Sequence, residues 1–357
     1  MTSKISIKNL AIGFCGILLI AFFMKNPKYT SDIIGASLDF SAKSIVPLIF
    51  PVSASAFILC DSGAAISIIA KIANCFSDFA KPIFCILTVI IGLFLGFPVA
   101  LIILNASKDQ GAITKKEYED IFPFCISPGF AYIFGHVGKN IYHSDKVGII
   151  LFASVLLSYI AVASFKIFNT RGKISIENGK APFLINISKS IKDASTASVS
   201  LCGTIAFFTL LCAVFSKLIS GISHSDMISA AINIFLEFSS AQNAVCEAFG
   251  AKTISICISA FSLAFCGISL LSQAMMLTNE KINIKKTLHF KAATALLAAA
   301  NAKILLDIFK IELKESVTTF YAENIGAGFW IIIMIVSLLC DYCKKKDGKR
   351  RLNRILK

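Results

Sequence analysis

The stretch "FPFCISPGFAYIFGHVG", Phe122–Gly138, decides how the chain is read. It is apolar enough to enter a bilayer, yet Ser127-Pro128-Gly129 interrupts it. Proline lacks the backbone donor and turns the residue before it away from the helical region, so no regular membrane helix runs through this point. Read forwards, the same residues make a good helix start. Ser127 can cap, and Pro128 suits the first helical position, where its missing N–H has no partner to lose. The amides of Gly129 and Phe130 then stand open at the positive end of a half-helix. Transporters use such ends to hold anionic groups near the midplane. Irregular backbone at that depth is tolerated only where protein or a wet cavity covers it. The competing readings are a kinked helix packed on its neighbours and a surface loop.

The rest of the chain places this break in a membrane. Its 357 residues are 56% hydrophobic and 16% charged, with mean hydropathy +0.77, and long apolar runs recur. Full spans are predicted over 7–24, 145–166, 197–221, 253–279, 284–310 and 325–343. The fold class expected is an all-α polytopic membrane protein. Lys4 and Lys8 precede an apolar run without a small-residue cleavage site, which predicts an uncleaved first span. Residues 45–60 are apolar but short, with Pro47 and Pro51 inside, and Gly96-Phe97-Pro98 interrupts the run 82–104.

The net charge of +14 lies between apolar runs and in the tail "CKKKDGKRRLNRILK". That reads as orientation signal and attraction to anionic lipid, not as a nucleic-acid surface. Three segments carry it: 166–192, 281–291 (Lys281, Lys285, Lys286, Lys291) and the tail. If 222–252 does not cross, all three return to one side. The tail is then cytoplasmic, and 226–250 is re-entrant or interfacial. The twelve cysteines are scattered and suggest no disulfide framework; Cys340 and Cys343 read as residues at a helix end. No zinc-protease, phosphate-loop, dinucleotide or nucleophile-elbow motif occurs, and the four histidines lack metal spacing. The chain is expected not to be an enzyme and to need neither cofactor nor metal. Thr114-Lys-Lys-Glu117 is a capping box that starts a short polar helix.

A weak internal repeat appears at an offset of 141, placing Phe97 over Phe238, Ala100 over Ala241, Phe124 over Phe265 and Cys125 over Cys266. Both interruptions fall in register: Gly96-Phe97-Pro98 over Glu237-Phe238-Ser239, and "FCISPG" (124–129) over "FCGISL" (265–270). Glu237 stands apart from any charge cluster, and an acid within a membrane segment points to ion coupling, a proton relay or substrate contact. The alternative is a wet interfacial helix. Ser269 and Gln273 can supply polar contacts at the second break or hydrogen bonds between helices. Phe97, Phe130 and Phe238 can stack on a planar ligand or simply pack. His136 is expected to be a hydrogen-bonded core histidine, and Lys303 and Asp307 an i,i+4 ion pair.

These residues resemble the nucleoside-recognition (Gate) domain, in the form found in sporulation integral membrane proteins of the YlbJ type. The likeness rests on Gly96-Phe97-Pro98, Gly111, Glu117, Glu119, Phe124 and Gly135-His136-Val137-Gly138, and then on "LEFSSA" and "FCGISLLSQ". It covers most of residues 37–310. Where the family carries two asparagines in the first break, this chain has Ile126 and Ser127; after Gly-Phe-Pro it has Ala100 and Leu101. The resemblance implies a fold like the concentrative nucleoside transporters: two related repeats with broken helices and re-entrant hairpins. The chain then divides into a first helix (1–30), a first repeat (31–166), a basic loop (167–192), a second repeat (193–310), and a last helix with tail (311–357). It further implies secondary transport of dipicolinate into the forespore, across the mother-cell-derived outer membrane. The residues expected to hold this anionic substrate are Gly96, Phe97, Pro98, Ser127, Pro128, Gly129, Phe130, Glu237, Ser239, Ser240, Gly267, Ser269 and Gln273. A coupling proton or sodium ion, membrane lipid and a homo-oligomeric partner complete the expectation. The alternatives are a nucleoside or other solute transporter, and a spore-envelope assembly protein that moves nothing.

Overall fold

A computed structural model describes residues 7–168, 170–176, 187–278 and 280–310. Every regular element among them is helical. Six helices are long and apolar enough to cross a membrane: Pro27–Asp61, Ser77–Leu95, Asp145–Ile167, Ile187–Ile219, Thr253–Met276 and Ile284–Phe309. The chain is a polytopic integral membrane protein. The predicted span 325–343, the Cys340/Cys343 pair and the basic tail lie outside the described residues.

The helices α1 (Ile7–Lys25) and α2 (Pro27–Phe40) open the fold, and α2 continues into α3 (Val46–Asp61). The prolines of this region predicted a short, irregular element, yet one helix runs through both. A wider turn over Ser41–Ile45 lies just ahead of Pro47 and gives room where its ring would crowd the preceding carbonyls. A short α4 (Ala64–Asn74) leads to α5 (Ala80–Leu95), which breaks at Gly96-Phe97-Pro98 before α6 (Val99–Asp109). The polar α7 (Lys115–Ile121) and a 3₁₀ turn (Phe122–Cys125) precede the second break. A wide helix with i→i+5 character (Ala131–Ile141) and the long α8 (Asp145–Ile167) follow.

In the second half, α9 (Ile187–Ile219) starts ten residues before the predicted span. The region 222–252 forms α10 (Ser225–Leu236) and α11 (Phe238–Phe249), packed on each other as a hairpin. Each arm has 12 residues, about 18 Å of helix, too short for a hydrocarbon core of about 30 Å. The apolar run after it breaks into α12 (Thr253–Phe265) and α13 (Gly267–Met276), and α14 (Ile284–Phe309) closes the described chain. The helices α8, α12 and α14 pack together at the centre, while α9 lies against α2, α3 and α10.

Burial is inverted relative to a soluble protein. Phe165 is 84% and Val199 72% exposed, whereas Ser154, Ser158, Ser255, Ser259 and Ser262 are fully buried. Small hydroxyls let backbones approach and bond across helices: Tyr142 to Ser259 at 2.7 Å and Asn301 to Ser158 at 2.9 Å.

At one end of the bundle α7 gathers the polar edge. The capping box at Thr114 and Glu117 is formed. Glu117 also pairs with Lys81 at 2.8 Å, and Asp120 holds Lys286 at 2.6 Å and Lys166 at 3.4 Å. The end of α8 and the start of α14 therefore meet at the same edge. The exposed pair Lys303–Asp307 is present at 2.7 Å. Burial alone would raise the Glu117 carboxyl, but hydrogen bonds from Lys81 and the Thr114 amide hold it below its ordinary value of 4.5.

A carboxyl depressed in the folded state stabilises the fold above its ordinary pKa, and loses that contribution as pH falls through the folded value. Detergent-solubilised protein should therefore lose thermal stability as pH drops below 4.5, and the Glu117→Gln variant should lose less over the same interval. Thr114→Ala should cost about 1 kcal/mol at neutral pH.

Candidate functional site

The interruptions meet in space. Gly96, at φ +85°, ends α5 and turns the chain so that the Phe97 N–H donates to the Ser127 carbonyl at 2.9 Å. A Cβ on Gly96 would fall 2.9 Å from the Gly129 backbone, and one on Gly129 would fall 2.8 Å from the Gly96 Cα. The two interrupted stretches cross with no room for a side chain at either position. The second half makes a comparable contact. The α10–α11 turn rests on the α12–α13 break, and a Cβ on Gly267 would lie 3.0 Å from the Leu236 carbonyl oxygen and 3.3 Å from the Phe238 nitrogen.

Between these crossings lies a cluster the sequence reading missed. The Tyr159 hydroxyl stands 2.8 Å from the Ile126 carbonyl oxygen, in the first break, and 3.0 Å from that of Ala264, in the last turn of α12. Lys291 Nζ donates to the Ile126 carbonyl at 2.6 Å, to the Tyr159 hydroxyl, and to Cys266 Sγ at 3.2 Å. Cys266, in the left-handed region at φ +71°, reaches back to the Leu263 carbonyl with its thiol at 3.0 Å. Lys291 had counted among the basic residues of the 281–291 edge; instead it is only 3% exposed, well inside α14. Its amine faces the break after the 3₁₀ turn Phe122–Cys125 and the end of α12, where carbonyls lack helical donors. The available signal was its position beyond Lys286, between Phe290 and Ala292.

The N-terminal sides of the breaks are treated differently. In the first, helix begins at Phe130 rather than at Ser127-Pro128, because Gly129 supplies the first accepting carbonyl, to Ile133 at 3.0 Å. The Phe97–Ser127 bond and the glycine crossing keep residues 126–129 extended. Ser127 Oγ is buried without a partner, and the amides of Phe130 and Ala131 have none among the described residues. In the second half, Glu237 closes the start of α11: its Oε1 accepts from the Ser239 amide at 3.1 Å and the Ser239 hydroxyl at 2.7 Å. Ser269, in the first turn of α13, stands beside the same carboxylate. Glu237 is 0% exposed.

These elements enclose a cavity of about 450 Å³. Of the residues expected to hold a substrate, Gly96, Phe97, Pro128, Gly129, Phe130 and Gln273 line it, and so does Phe238, named above only as a ring that can stack or pack. Pro98, Ser127, Glu237, Ser239, Ser240, Gly267 and Ser269 stand behind the wall. Ser240 is turned inward, donating to Asn233 at 2.6 Å. The wall also includes Phe94, Tyr132, residues of α3, and Leu201 and Ile205 of α9. Phe130 stacks on Phe134 at 5.1 Å and meets Phe152 edge-on at 4.9 Å, which fixes its ring. Tyr132 packs edge-on against Phe238 at 5.4 Å. Ser44, Tyr132 and Gln273 are the polar side chains of the wall, and no charged side chain of the described residues lines it. Gln273 Oε1 is buried and unpartnered. His136, expected to be hydrogen-bonded, instead packs between the Phe40 and Tyr132 rings at 5.3 and 5.2 Å, with Nε2 unpartnered among the described residues.

No family model, curated protein or solved structure matches the chain.

Gly96→Ala and Gly129→Ala should each sharply lower the melting temperature of the purified protein. Gly135→Ala, where nothing lies within 4 Å, should leave it nearly unchanged. Lys291→Met strands buried carbonyls and should cost roughly 1–3 kcal/mol, against little for Lys303→Met at the surface.

Proposed function

We propose that the chain is a secondary transporter of a small planar aromatic carboxylate, bound in the cavity between the helix breaks. The observation that carries this reading is the composition of the wall. Phe97, Phe130 and Phe238 line the same cavity as Ala131, and the amides of Phe130 and Ala131 have no partner among the described residues. Aromatic faces suit a flat ring, and a helix start suits one carboxylate. The volume falls within the range usual for small-molecule sites, roughly 300–1,000 Å³.

The element boundaries support two related repeats, as in the concentrative nucleoside transporters. Moved along by 141 positions, α8 covers 286–308, where α14 spans Ile284–Phe309, and α6 covers 240–250, where α11 spans Phe238–Phe249. Each half sets a hairpin tip against a helix break through a glycine. The likeness to YlbJ-type sporulation proteins makes dipicolinate the leading substrate, carried across the outer forespore membrane. One carboxylate then faces the Phe130 amide and the other the Gln273 side chain. Since the described wall carries no cationic side chain, the second negative charge travels partly neutralised.

Purified protein in proteoliposomes should take up labelled dipicolinate, with excess unlabelled dipicolinate competing and uridine not. Phe130→Ala and Phe238→Ala should each raise KM about tenfold, the loss of one good aromatic contact. Competition by uridine would move the assignment to nucleosides. Folded protein that moves neither solute would leave the assembly role.

A further inference from the structure

We propose that the groove between the start of α5 and the end of α8 holds one anionic phospholipid, with its phosphate on Arg171 and an acyl chain between the two helices. The proposal stands apart from the transport reading. It also differs from the diffuse attraction expected of the basic segments, because it needs one particular side chain and one particular groove.

The groove has a volume of about 330 Å³. Phe79, just ahead of α5, and Pro82, Ile83 and Ile86 within it form one wall; Ile167 and Phe168 face them from the end of α8. The spacing of the first four, at i, i+3, i+4 and i+7, makes one apolar stripe along the helix, about 10 Å from end to end. Ser164 is the one polar side chain of the described residues that lines the groove. Both helices are long and apolar enough to cross a membrane. Phe79 is 39% and Phe168 55% exposed, so this end is open. It lies at the charged edge of the bundle, where Lys81 pairs with Glu117 and Lys166 with Asp120. The groove therefore runs from that edge towards the apolar middle of the two helices.

The chain beyond α8 folds back over this open end and is pinned there. The Gly172 N–H donates to the Asp78 carbonyl at 3.1 Å, and the Gly172 carbonyl accepts from the Lys81 amide at 3.3 Å. Asn74 grips the backbone of Ile174 through both its amide oxygen and its nitrogen, each at 2.9 Å. These bonds hold the Arg171 guanidinium 4.0 Å from the centre of the Phe79 ring and 5.5 Å from that of Phe168. The two rings that end the groove thus also seat the cation. No carboxylate of the described residues forms an ion pair with Arg171, and the nearby Lys81 and Lys166 are already held by acids. A guanidinium seated on a ring keeps its N–H edge available, and its fork matches two phosphate oxygens. A fixed cation at the mouth of an apolar groove fits a charged headgroup and its chain together. A free phosphate ion leaves the groove uncovered, and an uncharged lipid leaves the guanidinium unpaired.

The test titrates purified full-length protein, stripped of lipid in detergent, with dioleoylphosphatidylglycerol and counts bound lipids by native mass spectrometry. One lipid should bind more tightly than the rest. It should stay bound in about 1 M salt, where diffuse attraction is screened beyond about 3 Å. Arg171→Gln should weaken this first site about tenfold, the worth of one charge-assisted pair. Ile83→Trp, which fills the groove, should weaken it by a similar factor. Lys173→Gln, at an exposed cation two residues on, should leave it nearly unchanged. Inorganic phosphate should not displace the lipid. First-site binding that survives both Arg171→Gln and Ile83→Trp overturns the proposal. Equal losses in Arg171→Gln and Lys173→Gln return the interaction to diffuse charge, and displacement by inorganic phosphate makes it a plain anion site; either result overturns the proposal too. If Arg171→Gln does not fold, Arg171→Lys keeps the charge without the fork; it should weaken the first site about threefold, and an unchanged value is equally fatal.

Discussion

The Lys291 ammonium is the interaction on which the centre of the structure depends. Two helices stop inside the bundle, at Cys125 and Phe265, and each stop leaves carbonyl oxygens without helical donors. In water those oxygens would be hydrated; at membrane depth each must find a partner in the protein. One side chain answers much of the demand. Lys291 has three N–H donors and three acceptors, the Ile126 carbonyl, the Tyr159 hydroxyl and Cys266 Sγ, and Tyr159 extends the reach to Ala264. A buried charge is otherwise expensive. Here the end of α12 and the acceptors of the first break lie against it, which is why a lysine is tolerable at that point.

The same logic explains why the N-terminal sides differ. Glu237 occupies the positive ends of α11 and α13, so neither is open to the cavity as a bare amide terminus. Along the broken α12–α13 helix the two buried charges complement opposite ends: Lys291 the end of α12, Glu237 the start of α13. The helix starting at Phe130 has no such residue, and the amides of its first residues, Phe130 and Ala131 of the cavity wall, are unpaired among the described residues. The two halves thus share a crossing geometry while one helix start stays electrostatically vacant.

Much of this was legible in the sequence, and the illegible parts have physical causes. Gly96-Phe97-Pro98 and Ser127-Pro128-Gly129 announce breaks because proline and glycine act locally. The Thr114 capping box follows from short-range pattern, and the re-entrant or interfacial reading of 226–250 from keeping the basic segments on one side. Lys291 was missed because counting lysines near a helix end assumes that they reach the interface, and nothing local says that this one meets a second break far away in sequence. The start at Phe130 was misplaced for a similar reason: the Ser127 carbonyl is taken by Phe97, a partner thirty residues away. Pro47 failed to break its helix because a widened turn just ahead of it makes room for the ring, and the helix also runs on through Pro51. Tyr132 gave no signal among the many aromatic residues, yet it stands on the cavity wall.

The wall's chemistry limits what the cavity can discriminate. A single open helix start offers about half a positive charge, enough to orient one carboxylate but not to hold a dianion. Aromatic faces fixed by packing, such as Phe130 against Phe134 and Phe152, select for flatness and ring size at little entropic cost. Selection for a second acidic group must then come from Gln273, whose amide offers both a donor and an acceptor. Because Gln273 also touches Ser269 beside Glu237, the residue that would read the second carboxylate is linked through one hydroxyl to the buried acid. Substrate recognition and charge compensation therefore converge on one side chain. Leucine at 273 would keep the packing volume but remove both, which makes that position the sharpest divide between a cavity that merely accommodates aromatic rings and one that recognises a diacid.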